Sequence, residues 1–265
     1  MMQKGICFYF GINNNIKTRV KMIKDAGFDA IITNADPKFW YQNGRISKQI
    51  RLVKKNGLKL SSLHMRYNKV DLPHFFKDDK IGEMLERNIK RDIKIAAKYG
   101  FKCVVVHLAG ECSEIGFERL MRILKLSEKK NIPLALENLG LDEAFIQIMD
   151  KLNSPYVKFC YDAGHNNAFH PEKDYLSKYG DRLICVHLHD NDGKSDLHTL
   201  NEFGTINWKN LAKKLAKCPE VSLDYELMPK NEHGYNAEQL LERCFKQACE
   251  LEKMIEIERN KLKKD

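Results

Sequence analysis

The sequence predicts an α/β chain folded as one (β/α)8 barrel, spanning residues 1–265 as a single domain and carrying a long C-terminal helix. Three observations predict it. Short β-rich runs alternate with longer amphipathic stretches from end to end, about eight of each fit within 265 residues, and no Gly/Ser/Pro-rich linker or low-complexity stretch divides them. Strands alternating with helices imply parallel pairing through right-handed crossovers. Eight such units in about 250 residues match a closed barrel. An open doubly wound sheet is the competitor, but its G-x-G-x-x-G fingerprint is absent after the first strand.

Taken in order, the strand candidates are GICFYFG (5–11), DAIIT (29–33), LKLSSLHM (58–65) and KCVVVHLA (102–109), followed by PLALENL (133–139), VKFCYDA (157–163), LICVHLHD (183–190) and VSLDYEL (221–227). NNIKTRVKMIKDAG, EMLERNIKRDIKIAAKYG and FERLMRILKLSEKKN read as helices between them, and GYNAEQLLERCFKQACELEKMIEIERNKLKKD as a long charged helix at the end. Gly27, Gly57, Gly100 and Asn131 stand where left-handed helix stops belong.

The balance of 45 Lys+Arg against 36 Asp+Glu leaves a net charge of +9, and 43% hydrophobic residues suffice for a large core. No apolar run approaches the ~20 residues of a membrane span. The opening MMQKGICFYFGINNN lacks a small-residue cleavage site after its apolar run. A cytoplasmic protein with no membrane partner is expected. The eight cysteines form no C-x-x-C pair; Cys103, Cys160 and Cys185 fall in apolar runs, where a free thiol acts as a small hydrophobe. The excess charge reads as a lysine-rich solvated surface, for example at Lys213, Lys214, Lys263 and Lys264.

In a barrel the chemistry sits at the C-terminal ends of the strands. From the third strand onward those ends carry His64, His107, Glu137, Asp162, His187 and Glu226. Six such residues in succession arise by chance on the order of 10⁻⁵, before allowing for a residue or two of slide. His165 follows Asp162 one helical turn on, and Asp196 and His198 form a D-x-H in the loop after the seventh strand. Imidazole mixed with carboxylate suits Zn, Mn, Co or Fe better than Mg or Ca. The cluster has the composition for one cation with substrate-contacting neighbours, or for two or three sharing a carboxylate. His189 is expected in the same mouth without binding metal, and Asp190 and Asp192 as loop braces. His74, His170 and His233 are expected at the surface, and Arg66, Lys69, Lys194 and Lys230, near the barrel mouth, either hold a substrate phosphate or face water, with solvent the preferred reading.

In LALENLG, VKFCYDAGHNNAF, ICVHLHDNDGKSDLH with GTINW after it, and DYEL, the chain resembles the xylose isomerase-like TIM barrel superfamily, over nearly its whole length. That family contains sugar and sugar-phosphate isomerases and epimerases, and also the endonuclease IV type of apurinic/apyrimidinic endonuclease. In the isomerase branch, the resemblance implies one divalent metal (Zn, Mn or Co) on Glu137, Asp162, His187 and Glu226. Glu137 and Glu226 would be the catalytic acid/base pair, and His165, His64 and His107 would contact a small sugar or sugar-phosphate substrate.

The endonuclease IV branch is the alternative. Its three zinc ions would map onto His64, His107, Glu137, Asp162, His165, His187, Asp196, His198 and Glu226, with nucleic acid as partner. Tyr67, three residues after His64, matches an aromatic of that branch. The surrounding wording departs from it: Leu108-Ala109-Gly110 replaces a Pro-Gly, ENLGLDE follows the bridging glutamate position, and LNEFGTINW follows D-x-H. DAGHNNAF and Trp208 resemble the isomerase branch, which is therefore the reading preferred here. Oligomeric state is left open.

Overall fold

The structure is a computed structural model, and it describes residues 1–11, 15–36, 45–228 and 234–264. Eight strands form one parallel sheet: β1 (Lys4–Cys7), β2 (Ala30–Asn34), β3 (Lys59–His64), β4 (Cys103–Val106), β5 (Leu134–Glu137), β6 (Val157–Asp162), β7 (Leu183–His187) and β8 (Leu223–Tyr225). Their order is β7-β6-β5-β4-β3-β2-β1-β8, each paired in parallel with its neighbours. Between β7 and β8 the wall closes through a parallel bridge of Leu188 with Tyr225. Leu188 N donates to Asp224 O at 2.9 Å, and Glu226 N donates to Leu188 O at 3.0 Å. The predicted (β/α)8 barrel is therefore the fold found.

The helices α1 (Ile16–Asp25), α2 (Ile46–Lys55), α3 (Lys80–Tyr99), α4 (Glu114–Lys130) and α5 (Glu143–Lys151) alternate with the first six strands. Two short helices, α6 (Ala163–Phe169) and α7 (Tyr175–Tyr179), fill the β6–β7 crossover, and α8 (Trp208–Ala216) and α9 (Ala237–Leu262) complete the ring. Polar side chains cap the starts: Asp79 accepts from Gly82 N at 2.8 Å, and Asn236 and Gln239 form a reciprocal capping box. All four expected stops have positive φ, including Asn131 at 53°.

The strands are nearly all buried, as a parallel sheet covered on both faces requires. The main core lies between sheet and helices, and a smaller cluster of Cys103, Val105, Ala135, Cys160 and Cys185 fills the barrel interior. All eight cysteines are free thiols.

Observed strands end sooner than the sequence suggests. β4 stops at Val106 rather than 109, and β7 at His187 rather than 190, because the last residues leave the ladder and turn over the barrel mouth. α9 packs back on its own barrel, burying Leu240, Leu241, Cys244, Ala248, Leu251 and Ile255. Lys4 Nζ lies 2.6 Å from Glu252 Oε2, and Met2 N also donates to Glu252, tying β1 to α9. Among the described residues no helix is long and apolar enough to cross a membrane.

Candidate metal centre

Four strands deliver one buried donor set. Glu137 ends β5, Asp162 ends β6, His187 ends β7, and Glu226 follows β8 by one residue; their donor atoms all lie within 4.8 Å of one another. The parallel register sets Asp162 beside His187. His187 Nδ1 lies 3.0 Å from Glu226 Oε2, 3.3 Å from Glu137 Oε1 and 3.9 Å from Asp162 Oδ2. Three carboxylates converging on one imidazole in a buried space need positive charge to persist there.

Besides an overlapping set in which Cys160 joins Glu137 and His187, two further donor groups lie beside it, and Glu137 belongs to the first. His64 and His107 meet Glu137 on one side; His165, Asp196 and His198 meet on the other. His107 Nε2 is 2.7 Å from Glu137 Oε2 and 3.0 Å from His64 Nε2. His198 Nε2 lies 3.1 Å from Asp196 Oδ1, and His165 Nε2 3.4 Å from Asp196 Oδ2.

Backbone carbonyls hold three of these rings by Nδ1. His64 Nδ1 pairs with Met65 O at 3.0 Å, His165 Nδ1 with Asn138 O at 3.0 Å, and His198 Nδ1 with Glu226 O at 2.7 Å. Donation from Nδ1–H leaves each neutral ring an Nε2 lone pair facing its donor group, the tautomer a metal-binding histidine needs. Chemically, the set fits divalent cations.

The electrostatics follow from the crowding. Burial alone would raise Glu137, but the charges and hydrogen bonds of His107 and His187 hold it well below the usual carboxylate range. Burial likewise opposes Glu226, and His187 and His198 drive it down. Desolvation lowers His107 to about 4, so its ring is neutral. His165 is raised to about 10: burial opposes the charge, but attraction from Asp162, Asp196 and Glu137 prevails. His198 is raised to about 9 against burial by Asp196 and Glu226. In the cation-free protein these imidazoles carry the compensating protons.

All nine residues singled out in the sequence thus come together at the mouth. His189 is there too, with Nε2 3.1 Å from Asp162 Oδ1 and its ring stacked 3.8 Å from that of His198. Asp190 braces the loop as expected, accepting from Trp208 Nε1 at 2.6 Å and from the backbone of Asn191, Thr205 and Ile206. Asp192 accepts from Lys194 N and Ser195 N.

Two surface expectations need correction. His74 is half-buried against Asp79 at 2.6 Å, and His170 half-buried against Gly140 O at 3.1 Å, because each ring completes a local hydrogen bond. Lys69 is exposed and also lines the cavity over the donors, where the 3-10 segment Lys69–Phe76 runs over the barrel mouth. Arg66 and Lys194 are exposed, whereas His233 and Lys230 lie outside the described residues.

Sequence reasoning missed Tyr9 and Asn138. Tyr9 Oη donates to Glu226 Oε1 at 2.6 Å. Asn138 clamps Asp162: its Oδ1 accepts from Asp162 N at 2.8 Å and its Nδ2 donates to Asp162 O at 2.9 Å, while its carbonyl holds His165. The available signal for Asn138 was its place directly after a strand-end glutamate. Tyr9 stood in an apolar run that reads only as strand.

Above the donors lies a cavity of about 440 Å³, within the range of small-molecule sites. Residues 20–245 match the family described as Xylose isomerase-like TIM barrel. An uncharacterized protein of Sinorhizobium fredii, y4fM, is 27% identical over 282 residues, covering 92% of this chain and 90% of its own. Among solved structures, a D-tagatose 3-epimerase-like protein superposes with a TM-score of 0.75 at 21% identity, covering 98% of this chain and 100% of that one. The IOLI protein with a bound zinc atom superposes at 0.73 and 17% identity, covering 95% and 98%.

Proposed function

The chain belongs to the xylose isomerase-like TIM barrel family, and from that premise we propose that it is a divalent-metal-dependent isomerase or epimerase of a small sugar or sugar phosphate. The observation that carries the reading is the buried set of Glu137, Asp162, His187 and Glu226, of which Glu137 and Glu226 line a small-molecule cavity. A cation on these four residues, Zn, Mn or Co, supplies Lewis acidity toward a carbonyl and its neighbouring hydroxyl, acidifying the adjoining C–H. Glu137 and Glu226 are the proton carriers: one carboxylate takes the proton beside the carbonyl, and the same or the other returns one on a different carbon or face. Tyr9 orients Glu226 through its hydroxyl. His64, His107 and His165 line the cavity where substrate oxygens would sit. The likeness to a D-tagatose 3-epimerase-like protein and to a protein that binds zinc supports this reading.

A second reading has its own observation. Besides the four-residue set, His64, His107 and Glu137 form one group that could hold a cation and His165, Asp196 and His198 another, which supports a trinuclear arrangement. Three cations beside one cavity suit in-line attack on a phosphodiester, with the net charge of +9 favouring DNA.

One experiment separates the two. Cation content is measured on protein purified without chelator, with solvent deuterium exchange into ketoses and cleavage of abasic DNA followed alongside. One cation per chain with exchange supports the first reading, and Glu137→Gln or Glu226→Gln is then expected to slow exchange by about 10²-fold or more. Three zinc ions with DNA cleavage and no exchange would replace it by the second.

A further inference from the structure

The cavity over the donors has two lobes of unlike chemistry. The lobe of about 440 Å³ is lined by Leu72, Leu139, Leu141 and Phe169 together with seven of the nine donors, all but Asp162 and His187. The other, of about 400 Å³, is walled by Tyr9, Asn34, Asp36 and Asn68. Of the donors, His64 and Glu226 line both, so these two stand where the lobes meet.

Leu72 and Leu139 are buried in a small core cluster with Ala109, whereas the rest of the apolar wall is open. Leu141 is 58% exposed and Phe169 39%, among nine large hydrophobic side chains exposed in the described residues. Covering such a rim with apolar surface is favourable, at roughly 25 cal/mol per Å². Placing hydroxyls against it without partners is costly. Among the described residues lining either lobe, Lys69 is the only lysine or arginine, and it stands at the junction rather than in the apolar wall.

We infer that the substrate is a ketone with a polyhydroxyl chain on one side of its carbonyl and an apolar group on the other. The polyol occupies the Tyr9–Asn34–Asp36–Asn68 lobe, the carbonyl faces the donors of the larger lobe, and the apolar group lies against Leu139, Leu141 and Phe169. Phe169 and Leu141 are then the specificity-determining residues. The inference rests on the proton-transfer reading above and narrows its substrate class.

The test uses the full chain loaded with zinc or manganese. It compares D-fructose, its 1-O-benzyl ether and fructose 1-phosphate, reading solvent deuterium incorporation beside the carbonyl together with KM. The benzyl ether is expected to show a KM about tenfold or more below that of fructose, the scale of burying one aromatic ring. In Leu141→Ala/Phe169→Ala that ratio should collapse to within about twofold, while Phe169→Leu, which keeps an apolar wall, retains most of it. Exchange in fructose with no preference for the benzyl ether, or with preference for the phosphate, overturns the inference and leaves the proton-transfer reading standing. Exchange in none of the three, with cation content verified, overturns both.

Discussion

His198 holds a backbone conformation that few side chains adopt, at φ 51°, and the site explains why it persists. Its Nδ1 is held by the Glu226 carbonyl, its ring stacks on His189, and its Nε2 faces Asp196. Strain of this kind survives where surrounding contacts over-determine the residue. Those contacts also set its protonation. Burial opposes the charge on His165 and His198, yet neighbouring carboxylates raise them to about 10 and about 9. Both values lie above the roughly 6.5 of an unfolded imidazole. The stabilisation they bring to the cation-free protein is therefore complete below about pH 6.5 and is lost as pH rises through 9 and 10. Urea midpoints of chelated protein are expected to fall over that interval, and cation affinity to rise as fewer protons must be displaced. Titration calorimetry in buffers of different ionisation enthalpy measures the released protons. A release of zero at pH 7 would refute the protonated imidazoles.

At the scale of elements, α6 shows how a short segment places two donors. Asp162 ends β6 and caps α6 by accepting from His165 N at 2.6 Å, so one turn of chain aims both side chains at the mouth. Gly164 sits between them, where a Cβ would overlap the His189 ring carried beyond β7. Gly164→Ala is expected to cost about 1–3 kcal/mol of stability, as overpacking of a tight site does. It should also loosen the group of His165, Asp196 and His198. Chemical denaturation reads the first effect and cation stoichiometry the second; wild-type values for both would show that α6 and His189 can move apart freely. The D-x-x-H spacing was visible in DAGH, but the reason for its glycine lies in a contact between residues 25 positions apart.

For the whole molecule, closure between β7 and β8 is the decisive event. The Leu188–Tyr225 bridge carries His187 and Glu226 to each other and completes a donor set drawn from four strands. Until the barrel closes, those carboxylates have no common partner. A cation bound to the closed form alone stabilises it by mass action, by about 4 kcal/mol at a thousand times its dissociation constant. Chelation is expected to lower Tm, and added zinc or manganese to restore it. A Tm indifferent to both, measured by scanning calorimetry, would count against a resident cation.

The alternation of strand and helix, the helix stops and the donor residues at successive strand ends were all written in the chain itself, because each is a local pattern of side-chain period or residue type. Glu137, Asp162, His165, His187 and Glu226 could be picked out one by one for that reason. The tertiary structure decided the rest. It placed Tyr9 on Glu226, made the Met65 and Asn138 carbonyls select histidine tautomers, folded Lys69 over the mouth and gave the cavity an apolar and a polar lobe. None of these follows from sequence spacing, since each is a contact between groups that only the closed barrel brings within a few ångströms.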